Sequence, residues 1–315
     1  MSVERELIVG TRGSDLALVQ TRRVRAGLPG PSRELLITTS GDRFQNVPLH
    51  EVGGVGLFTK EIEDRLRSRE IDVAVHSLKD LPTRIAEGMV LAALLARDDA
   101  SDVLLVHPDA LAPDREIPVA DGCTVGASSL RRQALLGRHA PHARAVAIRG
   151  NVPTRVDKAR RREVGALLLA RAGLARLRLD VAPLLAFDLN PAGWVCAPGQ
   201  GVIAVEVRAD DAEARSRLAV LDHAETRACA EAERELLHAF GGGCHAPFGA
   251  WAHRAGSGWE VWVAAPGADV YRVERFAAAD LAAGHADAER WVTGPRAART
   301  PLPAPEWVCR PARPW

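Results

Sequence analysis

Residues 71–82 read Ile71-Asp72-Val73-Ala74-Val75-His76-Ser77-Leu78-Lys79-Asp80-Leu81-Pro82. The first five are mostly apolar and β-branched, which predicts a short buried strand. Polar and charged side chains follow the strand directly, and Pro82 ends the turn. In open α/β sheets, ligands bind outside the carboxyl ends of the strands. The stretch therefore indicates an α/β fold whose functional side chains lie where strands end.

The alternation of strands and helices continues on both sides of this stretch. Further strands are predicted at 7–10, 35–39, 89–95, 103–106, 123–126, 145–148, 166–169 and 202–207. Helices are predicted at 15–27, 57–68, after Ser128-Ser129, and at 154–162, 172–179 and 224–240. After about residue 211 the pattern changes, and 259–264 and 270–273 alternate as antiparallel strands do. We expect two βα units joined at the polar link 97–102, then a small α+β C-terminal domain; the Pro- and Arg-rich tail from Gly294 gives no assignment.

Length, charge and cysteine content narrow the function classes. The chain has 315 residues, enough for two or three domains, and its net charge of +1 gives no global attraction to nucleic acid or membrane. Its five cysteines are scattered, without a CxxC pair, which argues against a disulfide framework or a zinc site. The N-terminus is charged and no apolar run is long enough to span a membrane. We expect a cytoplasmic protein without a bound metal.

The strand ends repeat one chemical theme, which is hydroxyl groups and cations at the start of a helix. The residues concerned are Arg12, Ser14, Ser77, Lys79, Ser128, Ser129, Arg131, Arg132, Arg149, Arg155 and, a little further from its strand, Arg176. Helix N-termini and arginine forks both suit carboxylates and phosphates. Any single arginine is more often a solvated surface residue. As a set at strand ends, however, they predict a ligand with several negative groups.

Two further residues have candidate chemical roles. Asp80 is a single acid among these cations, which favour its charged form, and it could stabilise positive charge or move a proton at nitrogen. Its alternative role is that of a turn aspartate before Leu-Pro. Cys244 lies in Gly241-Gly242-Gly243-Cys244-His245-Ala246-Pro247, a glycine-framed loop that can present a thiol without obstruction. Its alternative role is that of a buried structural cysteine.

Taken together, these segments resemble the porphobilinogen deaminase (hydroxymethylbilane synthase) family. The matching stretches are Thr11-Arg12-Gly13-Ser14, residues 53–61, residues 75–82, residues 126–133, Arg149-Gly150-Asn151-Val152, Pro198-Gly199-Gln200-Gly201 and residues 242–247. Each motif alone is weak. Their order and spacing from about residue 7 to about residue 250 make the set specific.

The resemblance implies a fold and a reaction. It implies two lobes like those of type II periplasmic binding proteins and a third domain, with boundaries at 1–98 plus 196–213, 99–195 and 214–315. It implies a transferase of tetrapyrrole (haem) biosynthesis that joins four porphobilinogen molecules head to tail, releases ammonia and yields linear hydroxymethylbilane. The implied cofactor is a covalent dipyrromethane, held by a thioether to Cys244. The implied protein is a monomer that hands its product to uroporphyrinogen-III synthase and contacts neither nucleic acid nor membrane.

By the same resemblance, Asp80 is the catalytic carboxylate and stabilises the cationic electrophile that remains when ammonia leaves. The residues implied to bind substrate or cofactor are Arg12, Ser14, Ser77, Lys79, Ser128, Ser129, Arg131, Arg132, Arg149, Gly150, Arg155, Arg176 and Gln200. The stretch from Ser40 to Gly56 is polar, glycine-rich and longer than most connections, which favours a mobile functional loop. The residues assigned to this loop are Gly53, Gly54, Val55 and Phe58.

Three departures from the family pattern stand out. Val55 and Glu51 replace two usual loop lysines, and Asp99-Ala100-Ser101-Asp102 replaces the usual Asp-Pro-Arg-Asp link. These departures leave open a diverged non-catalytic paralogue or a two-lobed binding protein for small anions. A thiol hydrolase is a third class, but it would need a histidine-paired thiolate. His245 is only a sequence neighbour of Cys244, and His76 is better explained as a structural residue.

Overall fold

The computed structural model describes residues 4–39, 59–243, 246–267, 270–294 and 308–315. The chain forms two compact units. The first comprises Met1–Asp98 and Gly201–Ala228, and the second comprises Asp99–Gln200 and Cys229–Trp315. Both units are therefore assembled from separate parts of the chain.

The described residues form the following strands and α-helices, each kind numbered in chain order. The strands are β1 Leu7–Arg12, β2 Ser32–Ile37, β3 Val73–Ser77, β4 Met89–Leu94, β5 Asp102–Val106, β6 Thr124–Gly126, β7 Arg144–Val146, β8 Ala166–Ala170, β9 Leu185–Leu189, β10 Ile203–Arg208, β11 Gly249–Ala255, β12 Gly258–Pro266, β13 Tyr271–Ala278 and β14 Cys309–Pro311. The helices are α1 Asp15–Gly27, α2 Lys60–Arg67, α3 Leu130–His139, α4 Val152–Arg160, α5 Arg171–Leu177, α6 Ala212–Leu218, α7 Ala224–Ala239 and α8 Leu281–Thr293.

The sheet of the first unit has the order β2-β1-β3-β10-β4. Strands β1, β2 and β3 run parallel, and β10 pairs antiparallel with both β3 and β4. Leu7, Val9 and Val73 are buried in one core on this sheet and Ile37 and Ala74 in another, which fits strands covered on both faces. Because β1 and β3 are parallel, their carboxyl ends lie at the same edge of the sheet.

The main sheet of the second unit repeats this arrangement. Its order is β14-β9-β5-β8-β6-β7, with β6 parallel to β7 and β8, and β5 antiparallel to β8 and β9. In each sheet, three parallel strands are followed by one antiparallel strand and then by a fifth strand, and the second sheet has β14 as a sixth strand beyond β9. The carboxyl ends of β6, β7 and β8 therefore also share one edge.

A separate three-stranded sheet, β11-β12-β13, is antiparallel throughout. Leu236 of α7, Trp291 of α8 and Phe248 pack on it with Val261 and Phe276. The expected α/β class with a small α+β part near the C-terminus is confirmed. Within the described ranges, none of the helices has the length and apolar character needed to cross a membrane.

Most predicted elements are present, with small differences at their ends. The helix expected from Thr154 begins at Val152, because Asn151 is its N-cap and Pro153 is tolerated in a first turn, where its missing N–H is not needed. The tail that gave no assignment contributes β14, which pairs antiparallel with β9. Strands β9 and β11 and helix α8 were also not predicted.

Candidate functional site

The end of β1 turns directly into α1 in the first unit. Ser14 is the N-cap of α1, and its Oγ accepts a hydrogen bond from the amide of Ala17 at 3.4 Å. Arg12, the last residue of β1, is partly buried. The structure therefore places Arg12 beside the N-terminus of a helix, where the partial positive charge of the helix adds to its own.

The end of β3 carries the candidate acid of the first unit. Leu78–Asp80 forms a short 3₁₀ turn, in which Lys79 is partly buried and Asp80 is exposed. Ser77 Oγ accepts a hydrogen bond from Gln20 Nε2 at 2.8 Å, which fixes the turn against α1. The Asp80 carboxylate is thus accessible at the same sheet edge as Arg12 and Lys79.

His76 has a structural role in this strand. It is buried, and its Nε2 lies 3.2 Å from the Glu206 carboxylate on the neighbouring strand β10. The sequence-based interpretation of His76 as a structural residue agrees with this contact.

In the second unit, the end of β6 leads into α3. Ser129 is the N-cap residue by position, but its side chain makes no capping hydrogen bond. Ser128 Oγ donates to the carbonyl of Ile148 at 2.5 Å and accepts from the Ile148 amide at 3.1 Å. The helix begins after Ser129, as expected, whereas Ser128 links the segments that follow β6 and β7.

The segment after β7 forms a tight turn at Gly150, and a side chain of the following helix contacts the main chain of this turn. Gly150 has φ +112, and a Cβ there would lie 2.7 Å from Thr154 Cγ2, so this turn requires glycine. Arg155 Nε donates to the Gly150 carbonyl at 2.7 Å. Arg149 is partly buried beside this turn, and Arg176 is partly buried in the last turn of α5. In the chain, all four residues follow the carboxyl end of β7 or β8.

Arg131 and Arg132 converge on one buried carboxylate, that of Asp102. Arg131 Nη1 is 2.9 Å from Asp102 Oδ2, and Arg132 contacts both oxygens at 2.8 and 3.1 Å. Gln200 Nε2 donates to Oδ1 at 2.8 Å, and Trp194 Nε1 donates to Oδ2 at 3.1 Å. Asp102 has no exposed surface. Five donors therefore surround a single buried anion.

The charge of Asp102 is maintained by these arginines. Burial alone would raise the pKa of the Asp102 carboxyl, but the charges and hydrogen bonds of Arg131 and Arg132 outweigh burial and hold that pKa far below its usual value. Asp102 is consequently ionised across the whole ordinary pH range, and it fixes both guanidiniums at the start of α3.

These contacts bear on three of the predicted ligand-binding residues. Gln200 is fully buried, and its amide nitrogen also bonds the carbonyls of Ala100 and Ser101 at 2.8 and 3.3 Å. The structure gives Gln200, Arg131 and Arg132 an internal carboxylate partner. Arg131 Nε, in contrast, is buried without a hydrogen-bond partner among the described residues. Direct contact of these three with a ligand stays a prediction.

Several predicted site residues lie outside the described residues. These are Cys244 of the glycine-framed loop, and Gly53, Gly54, Val55 and Phe58 of the loop expected to be mobile. Of the four other cysteines, Cys123, Cys196 and Cys229 are buried and Cys309 is partly buried.

Sequence reasoning missed three residues that organise the site. Asp102 appeared only as part of a polar link, and Trp194 was not singled out. Glu233, fully buried in α7, accepts hydrogen bonds from the amides of Gly199 at 2.7 Å and Ala252 at 2.9 Å. One feature of the sequence could have indicated Asp102: it is a charged residue directly before the apolar run 103–106. Nothing local distinguishes Glu233 from the surface glutamates of its helix.

The fold and these groups define a class of protein. It is an α/β protein with two similar sheets, in which the strand ends carry cations, hydroxyls and, in the first unit, one accessible acid. Such groups are suited to a small ligand with several carboxylates.

Comparison with known proteins identifies the family. Residues 7–216 match the model of the porphobilinogen deaminase dipyrromethane cofactor-binding domain, and residues 227–265 match the porphobilinogen deaminase C-terminal domain. The chain belongs to the porphobilinogen deaminase family. The resemblance noted from the motifs is thereby confirmed, as is the presence of a dipyrromethane cofactor-binding domain.

Individual relatives agree with this assignment. The chain is 43% identical over 261 residues to porphobilinogen deaminase of Acidithiobacillus ferrooxidans, covering 79% of this chain and 81% of the relative. It is 44% identical over 255 residues to that of Desulforudis audaxviator, covering 79% and 80%. Among solved structures, an ABC transporter protein from Parabacteroides distasonis is similar with a TM-score of 0.42 and 10% identity, covering 68% of this chain and 69% of that one.

Proposed function

We propose that this chain is a hydroxymethylbilane synthase, which joins four porphobilinogen molecules head to tail with release of ammonia. The observation that carries the proposal is the exposed Asp80 carboxylate at the end of β3, beside Lys79 and at the same sheet edge as Arg12. Membership of the porphobilinogen deaminase family supports the choice of substrate.

We assign to Asp80 the stabilisation of positive charge on the substrate and the transfer of protons during the reaction. Loss of ammonia from porphobilinogen leaves positive charge on the pyrrole, and a carboxylate next to the pyrrole N–H stabilises that charge and accepts its hydrogen bond. Exposure of Asp80 allows a substrate to reach it. We assign Lys79, Arg12 and the hydroxyls of Ser14 and Ser77 to the carboxylates of the same pyrrole.

We assign to the second unit the binding of the carboxylates of the cofactor and of the growing pyrrole chain. Arg149, Arg155, Arg176, Ser129 and the Gly150 turn lie beyond neighbouring strand ends. Each pyrrole carries an acetate and a propionate, so that a growing product requires several cationic sites. Arg131, already bound to Asp102, retains a buried Nε without a partner among the described groups, which fits one further acceptor such as a carboxylate.

We assign Cys244 as the attachment point of dipyrromethane. When bound, dipyrromethane supplies the terminal pyrrole to which substrate is added. Three proposed domains, at 1–98 plus 196–213, 99–195 and 214–315, complete the assignment. A cytoplasmic location, a monomeric state and delivery of product to uroporphyrinogen-III synthase remain predictions from the sequence.

The first test is the intact mass of the denatured protein, combined with Ehrlich's reagent. We expect a mass above the sequence value by one dipyrromethane, and we expect Cys244→Ser to have the unmodified mass. We expect Asp80→Asn to retain the added mass but to lose deaminase activity by about 100-fold or more, the range for removal of a general acid or base. An unmodified wild-type mass that does not increase after incubation with hydroxymethylbilane would favour the non-catalytic paralogue.

A further inference from the structure

Residues 308–315 add a sixth strand to the sheet of the second unit. Strand β14 pairs antiparallel with β9, and main-chain hydrogen bonds extend the pairing at both ends, from Asn190 to Val308 and from Ala312 to Ala186, each at 2.9 Å. Val308 is 5% exposed and packs in the core of this sheet. The match to the family's C-terminal domain ends at residue 265. The family assignment therefore leaves this strand unexplained.

Strand register brings this segment to the start of the candidate site. Four residues form one row across the sheet: Cys309 pairs with Leu189, Leu189 with Asp102, and Asp102 with Ala170. Ala170 is the last residue of β8, and Arg171 follows it as the first residue of α5. From this row β14 runs toward Phe187 of β9, and the Arg171 side chain makes the contacts with Arg313 and Trp315.

The Arg171 side chain, which is 8% exposed, is enclosed by three parts of the chain. It forms an ion pair with Asp188 of β9, and its Nε is 3.1 Å from Asp99 Oδ2. Its Nη2 donates to the carbonyl of Arg313 at 2.9 Å, and its guanidinium lies 5.3 Å from the centre of the Trp315 ring. One planar, five-donor group therefore joins two carboxylates to the segment 308–315.

The segment 308–315 also contributes a hydrogen-bond donor to the ionised carboxylate of Asp188. Burial raises the pKa of the Asp188 carboxyl, while the Arg171 charge and the Arg313 amide, which donates to Oδ2 at 3.4 Å, oppose that effect. Trp315 is anchored separately, because its Nε1 donates to the Leu179 carbonyl at 3.0 Å. Loss of residues 308–315 would remove both the amide donor and the ring that covers the ion pair.

Arg171 in turn fixes the link that leads to Asp102. Its amide donates to the Ser101 carbonyl at 3.1 Å, and its side chain contacts Asp99. Asp99 Oδ1 accepts a hydrogen bond from the Ser101 amide at 2.8 Å, which closes the turn. Asp102 is the next residue. The position of the carboxylate that holds both buried arginines thus depends on a turn that Arg171 contacts at two points.

We propose that Arg171 is a positioning residue and that residues 308–315 are the strap that holds it in place. The strap fixes Arg171, Arg171 fixes the turn 99–101, and this turn presents Asp102 to Arg131 and Arg132. The effect on catalysis rests on the anion-binding roles proposed above for those arginines. The effect on the turn does not depend on them.

Hydrogen exchange measured by mass spectrometry on the full-length holoprotein tests the strap directly. We expect deletion of residues 308–315 to accelerate amide exchange in peptides that cover 99–102 and 185–189. We expect Trp315→Ala to act in the same direction by about threefold or more, as loss of a partly shielded cation–π contact implies. Arg313→Ala is the matched control, because the contacts of Arg313 described above are made by its main chain, and it should leave exchange unchanged.

Initial rates with porphobilinogen distinguish positioning from stabilisation. Well below the unfolding midpoint, we expect Trp315→Ala and Arg171→Lys to raise KM by about two- to tenfold with a smaller change in kcat, as loss of ground-state anion binding predicts. A purely stabilising strap would lower Tm and leave KM unchanged.

Two results would overturn the proposal: unchanged exchange at 99–102 in Trp315→Ala and in the deletion, or an equal effect of Arg313→Ala. Since exchange is measured without substrate, an inactive wild-type protein would count against the proposed function and not against the strap.

Discussion

The Asp102 carboxylate is the residue on which the second unit's buried arginines depend. It is fully buried and accepts hydrogen bonds from Arg131, Arg132, Gln200 and Trp194. Removing one partner of a buried ion pair leaves the other charge without compensation, and this is much more costly than losing a surface pair. A single carboxylate therefore determines both the stability of the unit and the position of two candidate ligand-binding groups.

We expect Asp102→Asn to lower the free energy of unfolding by about 3–5 kcal/mol, the range for a broken buried pair. Denaturant unfolding of the full chain measures this change. Asp109→Asn is the matched control, because Asp109 forms an exposed pair with Arg162 and should cost no more than about 1 kcal/mol. Equal losses in the two variants would contradict the role of Asp102.

The pH dependence of the free energy of unfolding is a second test of the contribution of Asp102. Because the pKa of Asp102 is lower in the folded than in the unfolded protein, its contribution is fully present above the unfolded pKa and is lost as pH falls through the folded pKa. We therefore expect the wild type to lose stability below about pH 4, near the ordinary pKa of an aspartate, and Asp102→Asn to lose less over that interval.

At this scale the sequence predicts residue types well and partners poorly. Arg131, Arg132 and Asp80 can be selected from the sequence because they follow apolar runs at strand ends. The pairing of Asp102 with Arg131 joins residues 29 positions apart, and only the register of β5 between β8 and β9 brings them together. No local pattern encodes that register.

Among the elements, those with a strong local signal were predicted and those that depend on a distant partner were not. Strand β8 is a continuous apolar run, β3 begins with one, and α1 has a capping serine and a buried face. Strand β14 contains arginine and proline in three residues and lacks alternation. It is a strand because β9 offers an edge to pair with, which its own sequence does not reveal.

Strand β11 begins at a position that admits only glycine. A Cβ on Gly249 would lie 2.9 Å from the Val195 carbonyl, 3.0 Å from the Cys196 carbonyl and 3.2 Å from Arg131 Cδ. Two of these neighbours are main-chain atoms, which cannot rotate away. We expect Gly249→Ala to destabilise the protein by about 1–3 kcal/mol, as overpacking does, with thermal unfolding as the measurement.

Gly137→Ala is the control for Gly249→Ala. Gly137 lies on the exposed face of α3, and a Cβ there would meet no atom within 4 Å. Alanine favours a helix over glycine by up to about 1 kcal/mol, so the control should raise Tm or leave it unchanged. A Gly249→Ala variant as stable as the control would show that β11 does not approach residues 195–196 as closely as the structure has it.

For the whole molecule, the two main sheets share one strand order although they share no strand. Each has three parallel strands, then an antiparallel strand, then a fifth strand, and the second sheet adds β14 at its edge. In the first unit the antiparallel strand is β10, which comes after residue 200, and in the second it is β5, which begins at Asp102, three residues after the unit starts at Asp99. Local periodicity identifies both as strands. It cannot reveal that β10 inserts between β3 and β4, because that position depends on the order of strands in space.

The first unit should therefore fail to fold from residues 1–98 alone. Strand β4 pairs only with β10 among the described strands, and Val205 and Val207 complete the core. The Asp98 amide bonds the Gly201 carbonyl at 3.0 Å, so a short glycine linker can join 1–98 directly to 201–228. We expect cooperative unfolding and dispersed amide resonances from the joined chain, and neither from 1–98. Val205→Asp in the joined chain should abolish both, because it buries a charge in that core. A folded 1–98 fragment would mean that the sheet does not need β10, and the discontinuous first unit would then be an incorrect description of how this chain folds.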